Sequence, residues 1–133
     1  MIIGIPKEVK TDEYRVSMTP AGVHDLIANG HKVLVENLAG DGSGIPDQDY
    51  LAQGAKIVSQ QEVFEQAEMI IKVKEPIAEE YPLLREGQIL YTYLHLAPAP
   101  ELTQALLDRK VIGIAYETVQ LADKSLPLLI PMS

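Results

Sequence analysis

The sequence predicts an α/β fold, a parallel β-sheet with helices packed on its faces. Three observations point there. Short apolar, β-branched runs alternate with segments of helical spacing along the whole 133 residues. Gly, Pro and Asn stand at the joins between them. The length suits one domain with a core able to fold unaided, since chains of this size bury about two-thirds of their unfolded surface.

The elements follow in order. Ile2 to Ile5 reads as a strand closed by Pro6. Thr19-Pro20 is an N-cap with Pro at the first helical position, Val23, Leu26 and Ile27 share one helical face, and Asn29-Gly30 is the stop. Val33-Leu34-Val35 is a second strand, and Gly40 to Gly44 a loop. A short helix is expected from about Pro46 to Gln53, a small strand over Lys56 to Val58, and a short helix over Glu62 to Ala67. Met69 to Lys74 is a strand stopped at Glu75-Pro76. Ala78 to Arg85 reads as a helix ended by Gly87. Gln88 to Leu94 is a strand running into His95, Pro100 to Lys110 a helix, and Val111 to Tyr116 a strand. The final stretch, Leu126 to Ser133, is apolar almost throughout. Domains seldom end that way, which predicts that the natural chain continues.

Composition excludes several function classes. Nearly half the residues are apolar (47%), so wholesale disorder is out. There is no Cys, which removes disulfide scaffolds, thiolate metal sites and Cys nucleophiles. Asp plus Glu outnumber Lys plus Arg by 19 to 11, for a formal charge of −8, and no basic cluster offsets it, which argues against nucleic acid. No run reaches the roughly 18 apolar residues a membrane span needs. The N-terminal residues lack a basic segment and long apolar core of a signal peptide, and a cytoplasmic protein is expected. Three scattered His without an H-E-x-x-H pattern predict no metal site. No G-x-S-x-G elbow supports a Ser triad. The Gly40–Gly44 loop breaks the G-x-G-x-x-G spacing at Ile45 and reads as a tight turn.

Parallel α/β sheets place ligands outside the carboxyl ends of their strands. Three residues fit that position: Lys74 closing the fourth strand, His95 closing the fifth, and Arg15 between the first strand and first helix. Adjacent parallel strands would aim all three at one crevice. Arg binds a carboxylate through two parallel hydrogen bonds. A Lys polarises a carbonyl, and a His exchanges a proton near neutrality. Each also has a duller reading as a solvated loop charge, a strand-end charge beside Lys72, or a structural imidazole between two leucines. Glu8, Glu13 and Glu117 lie near strand ends, where each could orient a cation or simply face water. His24 and His31 read as surface groups.

These residues also resemble a family. Ile3-Gly4-Ile5-Pro6-Lys7-Glu8, Tyr14-Arg15-Val16, Thr19-Pro20, Asn29-Gly30-His31 and Ala39-Gly40 through Gly44 come in order at family spacing. Lys72 to Pro76, Thr92 to Leu96, Ala115 to Thr118, Leu126 to Leu129 and Pro131-Met132-Ser133 follow. On these motifs the chain is identified as a member of the alanine dehydrogenase/pyridine nucleotide transhydrogenase N-terminal domain family, on the alanine dehydrogenase side. The resemblance implies a Rossmann-like or flavodoxin-like parallel sheet with helices on both faces, forming the substrate-side lobe of a two-domain dehydrogenase. Residues 1–133 would be an incomplete N-terminal domain, with the NAD-binding Rossmann domain outside this chain. The implied reaction is NAD-dependent oxidation of L-alanine to pyruvate and ammonium, and its reverse, in a cytoplasmic homohexamer. His95 and Lys74 are implied as catalytic groups, and Arg15, Lys74, Tyr93 and Met132 as substrate-binding groups. Ser133 is implied to border the cofactor. Residues 1–133 alone are expected to bind NADH negligibly and to be inactive.

Other readings differ in specific residues. The transhydrogenase lobe is expected to lack the Lys and His pair, and a saccharopine dehydrogenase relative pairs them in a different context. A phosphoacceptor module needs acids after the first strand, where this chain has Pro6-Lys7. A folded fragment whose role is assembly with the missing domain is the remaining alternative.

Overall fold

The computed structural model describes residues 1–96 and 99–128. Among these, β1 (Ile2–Ile5), β2 (Lys32–Glu36), β3 (Lys56–Val58), β4 (Met69–Lys74), β5 (Ile89–Tyr93) and β6 (Ile112–Ala115) form one sheet. Its order is β3-β2-β1-β4-β5-β6, and every neighbouring pair is parallel. Of the two orders that the sequence leaves open, this is the Rossmann one; the flavodoxin-like order does not occur. The order reverses between β1 and β4, which pair only through Ile3 with Met69 and Gly4 with Ile70. Beyond those pairs the two strands part and open a crevice.

Side chains on alternate faces of the strands build two cores. On one face Ile3, Ile5, Val33, Val35 and Ile71 pack with Val23 of α1 (Pro20–Ala28) and Tyr50 of α2 (Asp47–Ala52). On the other, Ile70 and Leu90 pack with Val63 and Phe64 of α3 (Gln60–Gln66) and Leu102 and Leu106 of α4 (Pro100–Asp108). Helices therefore cover both faces. α1 starts where Thr19 accepts the Gly22 amide, with Pro20 in the first turn. α3 starts with a Ser59–Glu62 capping box.

One expected helix is not an α-helix. Ala78–Leu83 forms a 3-10 helix with Pro82 inside it. Proline offers no N–H for an i−4 bond and its ring crowds the preceding turn. Tighter bonds serve instead, from Glu80 N to the Ile77 carbonyl at 2.8 Å and from Leu84 N to the Tyr81 carbonyl at 3.2 Å. The Gly40–Gly44 loop contains a single 3-10 turn, Asp41–Ser43. No helix among the described residues is long and apolar enough to cross a membrane.

Candidate active site

The carboxyl ends of β4 and β5 and the segment between β1 and α1 meet at the mouth of the crevice. Arg15, Lys74, Tyr93 and His95 line one cavity of about 450 Å³, together with Lys10, Glu75 and Glu117. Four of the six residues expected from the sequence are thus brought together. The other two, Met132 and Ser133, lie outside the described residues.

Arg15 is held by local chemistry. Its Nε and Nη2 donate to the two oxygens of Glu13 at 2.9 and 2.7 Å, and its backbone N–H donates to the same carboxylate at 3.0 Å. Hydrogen bonds from Arg15 hold the Glu13 carboxyl down at a pKa of about 2, with the Arg15 and Lys74 charges adding to the effect. A guanidinium has five N–H donors. With two given to Glu13, both on Nη1 and one on Nη2 are left, so the end of the group still presents a bidentate edge. The loop that carries Arg15 is itself braced: Ser43 Oγ donates to the Tyr14 carbonyl at 2.9 Å. A Cβ on Gly42 would come within 2.8 Å of that carbonyl oxygen, so only glycine permits the approach.

Lys74 ends β4 and is half-buried. The neighbouring Glu75 is paired with Lys10. Tyr93 ends β5, donates its hydroxyl to the Leu128 carbonyl, and packs edge-on against Tyr116 at 4.8 Å between ring centres. Tyr116 also meets Tyr91 edge-on at 4.4 Å. Burial, with Tyr91 beside it, raises the Tyr116 hydroxyl above its ordinary pKa, so it stays protonated and does not compete as a base.

His95 is exposed and takes a left-handed backbone conformation, with φ of 49°. A non-glycine residue there is uncommon and strained. The Glu117 carboxylate holds the turn by accepting the Leu94 amide at 2.9 Å and the His95 amide at 3.4 Å. His95 thereby lines the cavity that Lys74 and Arg15 also line. A second, apolar cavity of about 560 Å³ adjoins the first, sharing Arg15 and Tyr93 and lined also by Tyr91, Tyr116, Pro127 and Leu128.

Sequence reasoning left the roles of three acids open and named Lys72 only as the neighbour of Lys74 and as part of a family motif, with no role of its own. Lys72 is 1% exposed. Its ammonium lies 3.1 Å from Glu8 and 3.3 Å from Glu80, both also buried. Pro6-Lys7-Glu8 directly after an apolar strand was the available signal, since an acid placed there faces the crevice. Glu80 gave no signal in sequence. His24 is exposed, and His31 Nδ1 lies 3.0 Å from the Met1 amino group; neither reaches the cavity. Among the described residues no three His, Asp or Glu side chains stand close enough to share a metal ion.

A family model described as alanine dehydrogenase/PNT, N-terminal domain, matches residues 4–133. Alanine dehydrogenase of Methanococcus maripaludis is 63% identical over 134 residues, covering 100% of this chain and 36% of that protein. Alanine dehydrogenase of Staphylococcus haemolyticus is 62% identical over 133 residues, with the same coverage. Among solved structures, an L-alanine dehydrogenase superposes with a TM-score of 0.96 at 50% identity, over 99% of this chain and 37% of its own. A transhydrogenase from Sinorhizobium meliloti superposes with a TM-score of 0.85 at 30% identity, over 92% of this chain and 37% of its own. The chain thus spans about a third of the length of these relatives.

Proposed function

The chain belongs to the alanine dehydrogenase/PNT N-terminal domain family, and from that premise we propose that it is the substrate-side lobe of an NAD-dependent alanine dehydrogenase. The observation that carries the reading is the convergence of Arg15, Lys74, Tyr93 and His95 on one cavity at the switch point of the sheet. The transhydrogenase relation accounts for the fold but gives no use for a Lys and a His in one pocket.

The described residues do not fit the cofactor's pyrophosphate. In a dinucleotide-binding Rossmann unit, glycines after the first strand let the pyrophosphate sit on the N-terminus of the following helix. Here residues 6–19 contain no glycine. The Gly22 amide at the start of α1 is already taken by Thr19 Oγ1 at 3.1 Å. The nucleotide site is therefore assigned to the part of the relatives that this chain does not span.

What remains for this lobe is to hold the organic substrate and move its protons. The free edge of Arg15 takes the carboxylate of pyruvate or alanine. Lys74 stands beside it to polarise the C2 carbonyl. This fixes C2 in place, chiefly an effect of position. His95, exposed to water and lining the same cavity, gives a proton to the departing hydroxyl in the amination direction. It takes one from water in deamination. The rings of Tyr93 and Tyr116 wall the pocket on its apolar side.

The test is made on the full-length protein that carries these residues. It should oxidise NADH with pyruvate only when ammonium is also supplied, and reduce NAD with L-alanine. Lys74→Ala should raise the KM for pyruvate and lower kcat together. NADH consumption indifferent to pyruvate and ammonium would remove the assignment.

A further inference from the structure

At the switch point β4 is held by a side chain where a strand would normally hold it. β1 stops pairing with β4 at Ile70, and Pro6 then supplies no N–H. On its other edge β4 shifts register against β5 between Ile71 and Lys74. Successive amides of a regular strand point to opposite sides. Here the amides of Val73 and Lys74 both turn to one carboxylate, donating to Glu8 Oε2 and Oε1 at 3.1 Å each. The same Oε1 also accepts from Lys72 Nζ at 3.1 Å. Ser17 Oγ completes the bracket by donating to the Ile71 carbonyl at 2.7 Å.

We propose that Glu8 is a positioning residue: its buried carboxylate fixes the bulged end of β4 and so sets where the Lys74 ammonium stands in the cavity. The inference rests on the reading of Lys74 as a substrate-binding group. A bulge re-aims the side chain that follows it, and Lys74 is that side chain. Lys72 serves as the counter-charge that lets the carboxylate remain ionised out of water, where a lone buried anion is disfavoured. Glu80 touches the same ammonium from the far side, but its carboxylate accepts from the Ile77 amide and from no amide of β4. Glu80 therefore shares the buried charge without sharing the geometry, which makes it the control.

A carboxylate that only filled hydrogen bonds in the core would affect stability alone. A positioning carboxylate affects the substrate step while leaving nucleotide affinity untouched. Glu8→Gln places an NH2 against at least one of the three donors, whichever way the amide is turned. Glu8→Asp keeps the charge for Lys72 but is too short to span both amides, and it decides the matter alone if Glu8→Gln fails to fold. In the full-length enzyme, both variants should lower kcat/KM for pyruvate by about 10- to 100-fold, the scale of a small misplacement of a reacting group. NADH affinity should stay unchanged, and Glu80→Gln should keep wild-type kinetics. A folded Glu8→Asp enzyme with wild-type kcat/KM would overturn the proposal, as would an equal loss in Glu80→Gln. Lys74→Ala separates the two levels of inference. If it is impaired while Glu8→Asp is not, only the positioning role falls. If Lys74→Ala itself keeps wild-type kcat/KM, the reading of Lys74 falls and takes this role with it.

Discussion

Two residues apart in sequence, Glu13 and Arg15 form a closed pair that leaves one face of the guanidinium for a ligand. The Glu13 carboxyl is depressed to about 2, chiefly by hydrogen bonds from Arg15. A depressed acid contributes its interaction above its ordinary pKa and loses it as pH falls through the folded value. The pair is thus complete from the ordinary carboxylate value of 4.5 upward and opens only toward pH 2. Following the Glu13 side-chain carboxyl by NMR should place its midpoint near 2; a midpoint at the ordinary value would mean the pair does not form. Glu13→Gln should weaken pyruvate binding without changing NADH affinity, because Arg15 loses its brace. The identities of Arg15, Lys74 and His95 were legible in the sequence because each stands just past a strand end or in the first βα loop. Glu8, Glu13 and Glu117 also stood out near strand ends, but the groups that Glu8 and Glu117 hold did not. Glu8 and Glu117 act on backbone amides 65 and 22 residues away, and such contacts leave no local pattern.

The strands and most helices were readable because caps, prolines and apolar runs are local. Thr19-Pro20 starts α1 and Asn29-Gly30 ends it. Pro82 stands inside the segment read as a helix, and that segment proved 3-10. The bulge in β4 was invisible for a different reason: it is bonded by the Glu8 side chain, from the segment that follows β1. The contact between β1 and α3 depends on a missing side chain. A Cβ on Gly4 would stand 2.7 Å from Ala67 Cβ and 2.8 Å from Val63 Cγ1, neither of which ends a flexible chain. Gly4→Ala should therefore force α3 off the sheet and cost about 1–3 kcal/mol, the usual range for overpacking. Denaturant unfolding of the variant would measure it, and an unchanged midpoint would mean the two elements are less closely packed than the distances indicate.

Across the whole molecule, two buried carboxylates share one buried ammonium. Burial raises the Glu80 carboxyl above its ordinary pKa, with Lys72 working against the shift. A raised acid disfavours its ionised form in the fold, so its effect on stability worsens as pH climbs from the unfolded to the folded pKa. Glu80→Gln should accordingly be as stable as the wild type or more so at neutral pH. That advantage should vanish in acid, where Glu80 is protonated; a lower melting temperature at neutral pH would refute this. The proposed function gives the substrate to this chain and the nucleotide to the part it does not span. Residues 1–133 alone should give negligible NADH binding by fluorescence titration, and micromolar binding would contradict the division of labour. The proposed role of His95 in moving the substrate's protons is put to the test by the kinetics of His95→Ala in the full-length enzyme. The kcat for pyruvate amination should fall by about 10²–10⁴, with NADH affinity unchanged. A variant that turns over at the wild-type rate would contradict it.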